Sequence, residues 1–452
     1  MALGKRKREQ QGMWVATTDL PRSPGHPFYQ KLNEVLGEAK FDGWLEKLCA
    51  PHYHETLGRP SIPPGVYFRM ILVGYFEGIA SQRGIAWRCS DSRSLAEFLG
   101  VPVTEPTPDH SSLTRAHQRL PEVVHEQMFQ FVLKIAAAQK LIDGKSVGVD
   151  STTLEANAAM KSILLKDTGE DYQEYLKRLA KDAGIADPTN EDLRKFDKKR
   201  EDKKVSNTEW QSQTDPDSRI AKMKDGTTHL AYKAEHVVDL KTDLVLAATV
   251  HPADQGDTTT LCDSLVQAQA NVQAAGSQAE IKNAAADKGY HGAAELATLD
   301  ALGFRSYIPE RESKHPRRWT DKPAEQKAAV YANRRRVRGQ RSKKLQRLRS
   351  EKVERSFAHV CETGGARRCW LRGLVKVTKR YLLQVAARNL GLILRKLFGI
   401  GTARGLQGRA GLLCALYLAV RACWDWWRRH QGASYRFHAT PIPTGCPLAV
   451  AG

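Results

Sequence analysis

Apolar residues recur at helical spacing through the first third of the chain. The longest run is GVYFRMILVGYFEGI, which begins after Pro63 and Pro64, and shorter helical segments follow it to about Leu141. The residues before this run show no comparable periodicity beyond FDGWLEKL. The pattern therefore predicts an N-terminal arm over residues 1–60 and a helical domain over residues 61–141.

The pattern changes from helical spacing to alternation after Leu141. SVGVDSTTL alternates and is rich in Val and Thr, which predicts a strand. Residues 160–225 are polar and highly charged, and we interpret them as an inserted segment that is helical or partly disordered. HLAYKAEHVVDLKTDLVLAATV then predicts two strands joined by a polar turn at Lys241–Asp243.

Strand and helix signals alternate in the next part of the chain. AEIKNAAADKGY predicts a strand that ends near Gly289, and AAELATLDAL predicts a helix with Gly303 as its C-cap. A short strand, FRSYI, precedes a basic stretch and a long helix. This order predicts an α/β fold with a mixed sheet over residues 142–398. Residues 399–452 are expected to form a tail that is helical at first and then unstructured.

Composition narrows the class of protein. The 452 residues suggest two or three domains, and 41% hydrophobic residues suffice to fill a sizeable core. The longest apolar segment, Ala410–Val420, has eleven residues, whereas a membrane-spanning helix needs roughly 20. The eight cysteines include no C-x-x-C pair. We therefore expect a cytoplasmic protein without a membrane span, a disulfide framework or a structural zinc site.

Positive charge is concentrated in one tenth of the chain. Of the net charge of +20, +12 falls between Arg311 and Arg355, where 17 basic residues meet 5 acidic ones. Most such runs are solvated helix faces, but this one contains Leu345 and Leu348 and leads into an apolar periodicity. We expect it to be folded and to bind a nucleic-acid backbone. The residues predicted to contact phosphate are Arg334, Arg335, Arg336, Arg338, Lys343, Lys344, Arg349 and Arg355.

Three acidic residues are candidates for catalysis because of where they lie. Asp150 falls within the first predicted strand, Asp287 ends a later strand, and Glu354 lies on the helix after the basic run. A carboxylate in an otherwise apolar strand is costly to bury without a partner, and a metal ion is such a partner.

The spacing of apolar residues on the predicted helix distinguishes its acidic residues. Val353 and Phe357 define the packed face, so at about 100° per residue Glu354 borders that face while Glu351 points to solvent. We expect Glu354 to point inward beside the sheet.

Three converging carboxylates would repel one another unless they bind hard divalent cations. Ligands that are all oxygens indicate Mg²⁺ or Mn²⁺ rather than zinc. Two such ions activate an attacking oxygen and stabilise the leaving oxygen of a phosphodiester. An acidic metal site near a basic segment suits the cutting or joining of nucleic acid.

Several segments in this order resemble the DDE-type transposases of bacterial insertion sequences. They are GVDSTTLEANA, KAEHVVDLKTDLVLAATVHPADQGDT, ADKGYHG and VERSFAH, followed by GGARRCWLRG and AARNLGLILRKL. The resemblance implies an RNase-H-like catalytic domain with Asp150, Asp287 and Glu354 as its metal-binding catalytic residues. The helical segment at residues 61–120 resembles the N-terminal domain of these enzymes, although short helices of this kind also suit any small helical bundle.

The resemblance implies a nucleoid-associated enzyme that cuts double-stranded DNA at the terminal inverted repeats of its element and joins the ends to target DNA. A catalytically inactive protein or repressor that binds DNA ends is the alternative. Two element ends must be processed together, so we expect two chains to pair on DNA. The helix Ala410–Val420 with Trp424, Trp426 and Trp427 is a candidate contact for that pairing, or else packs on its own chain.

Overall fold

The computed structural model describes residues 14, 16, 25–54, 56–200, 205–223, 226–312, 317–403 and 416–424. The chain divides into two compact units, Met1–Gly401 and Thr402–Gly452. The predicted domains 61–141 and 142–398 both fall within the first unit, so the helical part and the sheet belong to one compact body.

Within the described residues, seven α-helices precede the first strand. They are α1 (Pro27–Glu38), α2 (Phe41–Cys49), α3 (Pro64–Glu77), α4 (Gln82–Ser90), α5 (Arg93–Leu99), α6 (His110–Arg119) and α7 (Glu122–Ala138). The helices predicted over residues 61–141 are confirmed. The arm predicted over residues 1–60 is wrong for its second half, because α1 and α2 bury Phe28, Leu32 and Phe41 completely. The buried residues of α1, which include Phe28, Leu32, Val35 and Leu36, do recur at helical spacing, but polar and charged residues between them dilute the signal.

The strands form one mixed sheet and a separate pair in the described part of the chain. The mixed sheet contains β1 (Ser146–Glu155), β4 (Arg219–Lys222), β5 (Thr228–Asp239), β6 (Val245–Pro252), β7 (Asn283–Ala285) and β8 (Arg305–Tyr307). The separate pair consists of β2 (Ile163–Leu165) and β3 (Trp210–Ser212).

The order across the mixed sheet is β6-β5-β1-β7-β8, and β4 pairs with the first residues of β5. β1 lies between an antiparallel neighbour, β5, and a parallel neighbour, β7. β8 continues the sheet parallel to β7. The predicted hairpin over β5 and β6 and the predicted strands at β1, β7 and β8 are confirmed, as is the mixed α/β fold.

Seven further α-helices follow β2 among the described residues. They are α8 (Tyr172–Asp182), α9 (Asn190–Lys199), α10 (Asp257–Ala274), α11 (Ala293–Ala301), α12 (Ala324–Val337), α13 (Gln340–Phe357) and α14 (Leu374–Phe398). The sequence pattern did not lead us to predict α10. Its buried residues Leu261, Leu265, Ala268 and Val272 do recur at helical spacing, but Thr, Gln and Ser between them dilute the signal.

The predicted insert, residues 160–225, has a small apolar cluster of its own. Leu176, Ala180 and Leu193 are its buried members, contributed by α8 and α9. Capping boxes begin both helices, at Asp171 and Thr189. The described part of the insert is therefore folded around a local core rather than disordered.

α14 joins the helical part to the sheet. The helix packs against α3, α7 and β6, and most of its residues are buried. The amide of Asn389 pairs with the backbone of Val245 in β6, accepting from its N–H at 3.1 Å and donating to its C=O at 2.8 Å. Because one helix serves both parts, their cores are continuous.

In the second unit, residues 416–424 are helical and expose Leu416, Tyr417, Val420 and Trp424. The start of the predicted contact helix at Ala410, together with Trp426 and Trp427, lies outside the described residues. Among the described residues, no helix combines the length and the apolar character that crossing a membrane requires.

Candidate active site

Asp150 lies in the middle of β1, just past the residues that pair with β7, and Asp287 lies two residues past the end of β7. In the parallel pair β1–β7, Gly148 is opposite Ala285, and each aspartate follows two residues later. Neighbouring strands are about 4.8 Å apart, so the two carboxylates belong to adjacent chain segments. The carboxyl ends of parallel strands are where α/β sheets bind ligands.

Asp287 lies just beyond the strand that was predicted to contain it. β7 ends at Ala285, and Asp287 is the N-cap of a 3₁₀ turn over Lys288–Tyr290. Its Oδ1 accepts a hydrogen bond from the backbone N–H of Gly289. The turn therefore fixes the side chain at the sheet edge.

Helix α13 packs closely on the face of β1 that carries Asp150. A Cβ on Gly148, which shares this face, would come within 3.0 Å of Val353 Cγ2 and 3.1 Å of Arg349 Cγ. Only glycine permits this approach of helix to strand. Nη1 of Arg349 lies 2.6 Å from Oδ2 of Asp150, and both side chains are largely buried.

Gln346 ties the same helix to the strand end before Asp287. Its Nε2 donates to the carbonyl of Ala286 at 3.0 Å and to that of Tyr307 at 2.5 Å. Its Oε1 accepts from Nε of Arg349 at 3.1 Å. A chain of hydrogen bonds thus runs across α13 from the residue preceding Asp287 to Asp150.

His236 holds α13 and α14 on the sheet beside Asp150, its register partner. The hydroxyl of Ser356 donates to the carbonyl of Val353, so it accepts a hydrogen bond from Nδ1 of His236 at 2.8 Å. The other ring nitrogen, Nε2, then carries no proton and accepts from the hydroxyl of Tyr381 at 2.8 Å. Burial holds the pKa of His236 well below its ordinary value. The imidazole is therefore neutral and links Ser356 on α13 to Tyr381 on α14.

Glu354 is exposed, and its Oε1 accepts a hydrogen bond from Ser350 Oγ at 3.0 Å. Val353 and Phe357 are buried as predicted. The inward orientation predicted for Glu354 is wrong, because its position about 100° around the helix from Val353 lies outside the packed face. Glu351 is exposed as predicted and pairs with Arg355.

The carboxylates at the sheet edge match the donor chemistry of a hard divalent cation. Mg²⁺ is commonly held by one or two carboxylates, with waters and substrate phosphates supplying the remaining oxygens. The aligned Asp150 and Asp287 supply that number of carboxylates. Over the ranges that the structure describes, no three or more His, Cys, Asp and Glu side chains are grouped so that they could hold a metal ion. Glu354 as a third ligand stays a prediction.

Four of the eight basic residues predicted to bind phosphate have partners within the protein. Arg334 forms a bidentate ion pair with Glu310, in which Nε donates to Oε2 at 2.8 Å and Nη2 donates to Oε1 at 3.0 Å. Arg336 donates to the backbone and hydroxyl of Ser306, and burial lowers its pKa. Arg349 pairs with Asp150, and Arg355 pairs with Asp243 and Glu351.

The other four are exposed, namely Arg335, Arg338, Lys343 and Lys344. Arg347 is exposed as well. Lys343, Arg347 and Glu354 lie within about 40° of one another around α13. An exposed basic stripe on this helix therefore leads to Glu354.

A second basic side chain lies over the face that carries Asp150. Nη1 of Arg367 donates to Oγ1 of Thr152 at 3.2 Å, and Thr152 is two residues from Asp150 on the same face. Arg367 also pairs with Glu362 at 2.9 Å. Arg367 and Arg349 thus both contact the face of β1 that carries Asp150, and each is ion-paired within the protein.

The opposite face of the same strands carries a polar cluster that we did not predict from the sequence. It comprises Ser151, Lys233, Glu235, Asp257 and Tyr290. The available signal was Lys233 and Glu235, charged residues spaced two apart in an apolar strand.

Comparison with known families gave two matches. Residues 19–119 match a family described as "Transposase domain (DUF772)". Residues 149–390, more than half of the chain, match a family described as "Transposase DDE domain". Neither the curated proteins nor the solved structures contain a significant match to the chain.

The first match begins within the predicted arm and covers α1 to α6. The second begins one residue before Asp150 and includes both other predicted catalytic residues. The mixed sheet, the helical N-terminal part and the second match agree with an RNase-H-like fold. The chain thus belongs to the DDE transposases of insertion sequences.

Proposed function

We propose that this transposase cleaves DNA at the terminal inverted repeats of its insertion sequence and joins the freed ends to target DNA. The observation that carries this proposal is that Asp150 and Asp287 each follow, by two residues, the last pair in the parallel register of β1 and β7, Gly148 and Ala285. Acidic side chains at that edge, beside exposed basic helices, suit a reaction on a polyanion.

Asp150 and Asp287 would hold Mg²⁺ or Mn²⁺, with Glu354 as the third carboxylate. When bound, such ions activate an oxygen nucleophile and stabilise the charge that develops on the phosphate. The chain itself contributes the fixed edge of the sheet, because Gln346 and Arg349 anchor α13 beside both aspartates. Glu354 lies at the C-terminal end of the basic stripe on α13. DNA bound along this stripe would therefore have its backbone close to this carboxylate.

We assign phosphate binding to the exposed residues Arg335, Arg338, Lys343 and Lys344, and add Arg347. The ion pairs and hydrogen bonds of Arg334, Arg336, Arg349 and Arg355 indicate that these residues stabilise the fold around the site. We further propose that helices within residues 61–121 recognise the repeat sequence and that two chains pair on DNA.

Cleavage of DNA that bears the element's own ends tests the proposed reaction. With Mg²⁺ present, the full-length chain should nick this DNA, and Asp150→Asn should not, although it should still bind. Glu351→Gln, an exposed neutralisation on α13, is the matched control and should cut normally. Binding without cleavage by the unmodified chain would favour the alternative, a DNA-end-binding repressor.

A further inference from the structure

The residue that follows Asp150 is tied to a helix on the other face of the sheet. Side chains alternate along a strand, so Ser151 points away from α13. Its Oγ donates to Oδ1 of Asp257 at 3.1 Å. Asp257 is the first residue of α10. The backbone that carries Asp150 is therefore anchored to the beginning of this helix.

Asp257 also packs against the turn that carries Asp287. A Cβ on Gly289 would come within 2.7 Å of Asp257 Oδ2 and 3.0 Å of Asp287 Oδ1. Both carboxylates thus lie directly against Gly289. One side chain, Asp257, contacts the chain segments of both proposed metal-binding aspartates.

A buried lysine fixes the Asp257 carboxylate. Nζ of Lys233 lies 2.9 Å from Asp257 Oδ1 and also donates to Thr260 Oγ1 at 3.1 Å and to the Gln255 carbonyl at 3.3 Å. Lys233 is only 5% exposed. A buried ammonium group needs such partners. The three contacts therefore hold both Lys233 and Asp257 in one arrangement.

The same network reaches the Asp287 turn by a second route. Oε2 of Glu235, which is 1% exposed, accepts from Thr260 Oγ1 at 2.9 Å and from the Tyr290 hydroxyl at 2.8 Å. Tyr290 belongs to the turn that begins at Asp287. The turn is held at Gly289 by packing and at Tyr290 by a hydrogen bond.

We propose that Asp257 is a positioning residue that sets the spacing of Asp150 and Asp287. This inference rests on the proposed function, because it concerns the two aspartates assigned there. Asp257 acts through Ser151 on one side and through the Gly289 turn on the other. Groups that orient metal ligands without binding the metal typically contribute 10- to 100-fold to metal affinity or activity.

The test compares Asp257→Asn with the unmodified full-length chain. The amide keeps the size of the side chain but removes the negative charge beside Lys233. Two quantities are measured: Mn²⁺ affinity, from the spectroscopic signal of free Mn²⁺, and the cleavage rate at saturating DNA. We expect both to fall about 10- to 100-fold, with the Kd for DNA unchanged within about twofold. Asp263→Asn, an exposed position on α10, should change neither quantity.

A second variant distinguishes an effect on metal binding from a loss of folding. Ser151→Ala removes the hydrogen bond from β1 to Asp257 and should weaken Mn²⁺ binding in the same direction. In the double variant the two effects should be less than additive, because they share one contact. A lowered unfolding temperature with unchanged Mn²⁺ affinity in both single variants would mean a merely structural role and would overturn the proposal.

The outcomes separate this inference from the proposed function. Normal Mn²⁺ binding and cleavage by Asp257→Asn, while Asp150→Asn is inactive, would overturn the inference alone. An unmodified chain that neither binds Mn²⁺ nor cuts its end-bearing DNA would overturn both.

Discussion

The guanidinium of Arg349 donates to Oδ2 of Asp150 over 2.6 Å, across the contact between α13 and β1. Under the proposed function, this ion pair occupies an oxygen that a divalent cation would use. We therefore expect Arg349 to stabilise the fold and to compete with an added metal ion for Asp150.

Arg349→Gln should lower the free energy of unfolding without metal by about 1–3 kcal/mol, because it leaves a partly buried carboxylate with a weaker partner. Added Mn²⁺ should restore more stability to this variant than to the unmodified chain, because the competitor is gone. Thermal unfolding with and without Mn²⁺ measures both effects. Equal stabilisation of the two chains by Mn²⁺ would contradict the competition.

Glu354→Gln should abolish cleavage and leave DNA binding largely intact, because Glu354 supplies charge to the proposed metal site and not affinity for phosphate. Glu351→Gln on the same helix should cut normally. A nicking assay with Mg²⁺ compares the two variants. If Glu351→Gln were inactive and Glu354→Gln active, the assignment of the third carboxylate would be wrong.

Replacing Arg335, Arg338, Lys343 and Lys344 by Gln should weaken binding to all DNA sequences about equally. The slope of log K against log salt should decrease by up to about 0.9 for each phosphate of duplex DNA that the variant no longer neutralises. A matched set of exposed lysines on α8 and α9, Lys177, Lys181, Lys195 and Lys198, should leave the slope unchanged. An unaltered slope in the first set would identify the run as a solvated face.

Acid should destabilise the helical part through a buried histidine pair. Burial lowers the pKa of His117 to about 3 and that of His125 to about 4. Tyr67 from α3 contacts both rings, and Lys379 from α14 lies nearby, which further disfavours protonation. Both histidines are neutral in the folded chain at pH values where the unfolded chain, with a pKa near 6.5, takes up protons.

Stability from these two residues is therefore complete above pH 6.5 and is lost as the pH falls towards 4 and 3. Each contributes a slope of up to about 1.4 kcal/mol per pH unit. Urea unfolding between pH 6.5 and 5 should show this loss, and His117→Gln should reduce the slope. His110→Gln, at a more exposed site on α6, should not.

Pairing of two chains is expected on DNA that carries an element end. Mass measurement of the protein–DNA complex under conditions of strand joining should give two chains and two ends. A stoichiometry of one chain to one end, with joining still in progress, would refute pairing.

Most elements around the candidate site could be predicted from local patterns in the chain. Alternation indicated β1 and the hairpin, and the spacing of Val353 and Phe357 identified the packed face of α13, because both patterns follow from local backbone geometry. The order of the motifs implied the transposase family and its three acidic residues.

Which of these residues meet depends on how the elements pack. Asp150 and Asp287 are 137 positions apart, and the parallel register of β1 and β7 aligns them. The run of arginines looks uniform in sequence. In the folded chain, Glu310 binds Arg334 and Ser306 binds Arg336, because packing brings β8 and the residues after it against α12.

Asp257 gave no signal of its own in the sequence. Its importance arises from Ser151, Lys233 and Gly289, which contact it in the folded chain. These residues lie far apart along the chain and are brought together only when the sheet and α10 pack. A local pattern could therefore indicate the strand residues Lys233 and Glu235 but not their contact with Asp257.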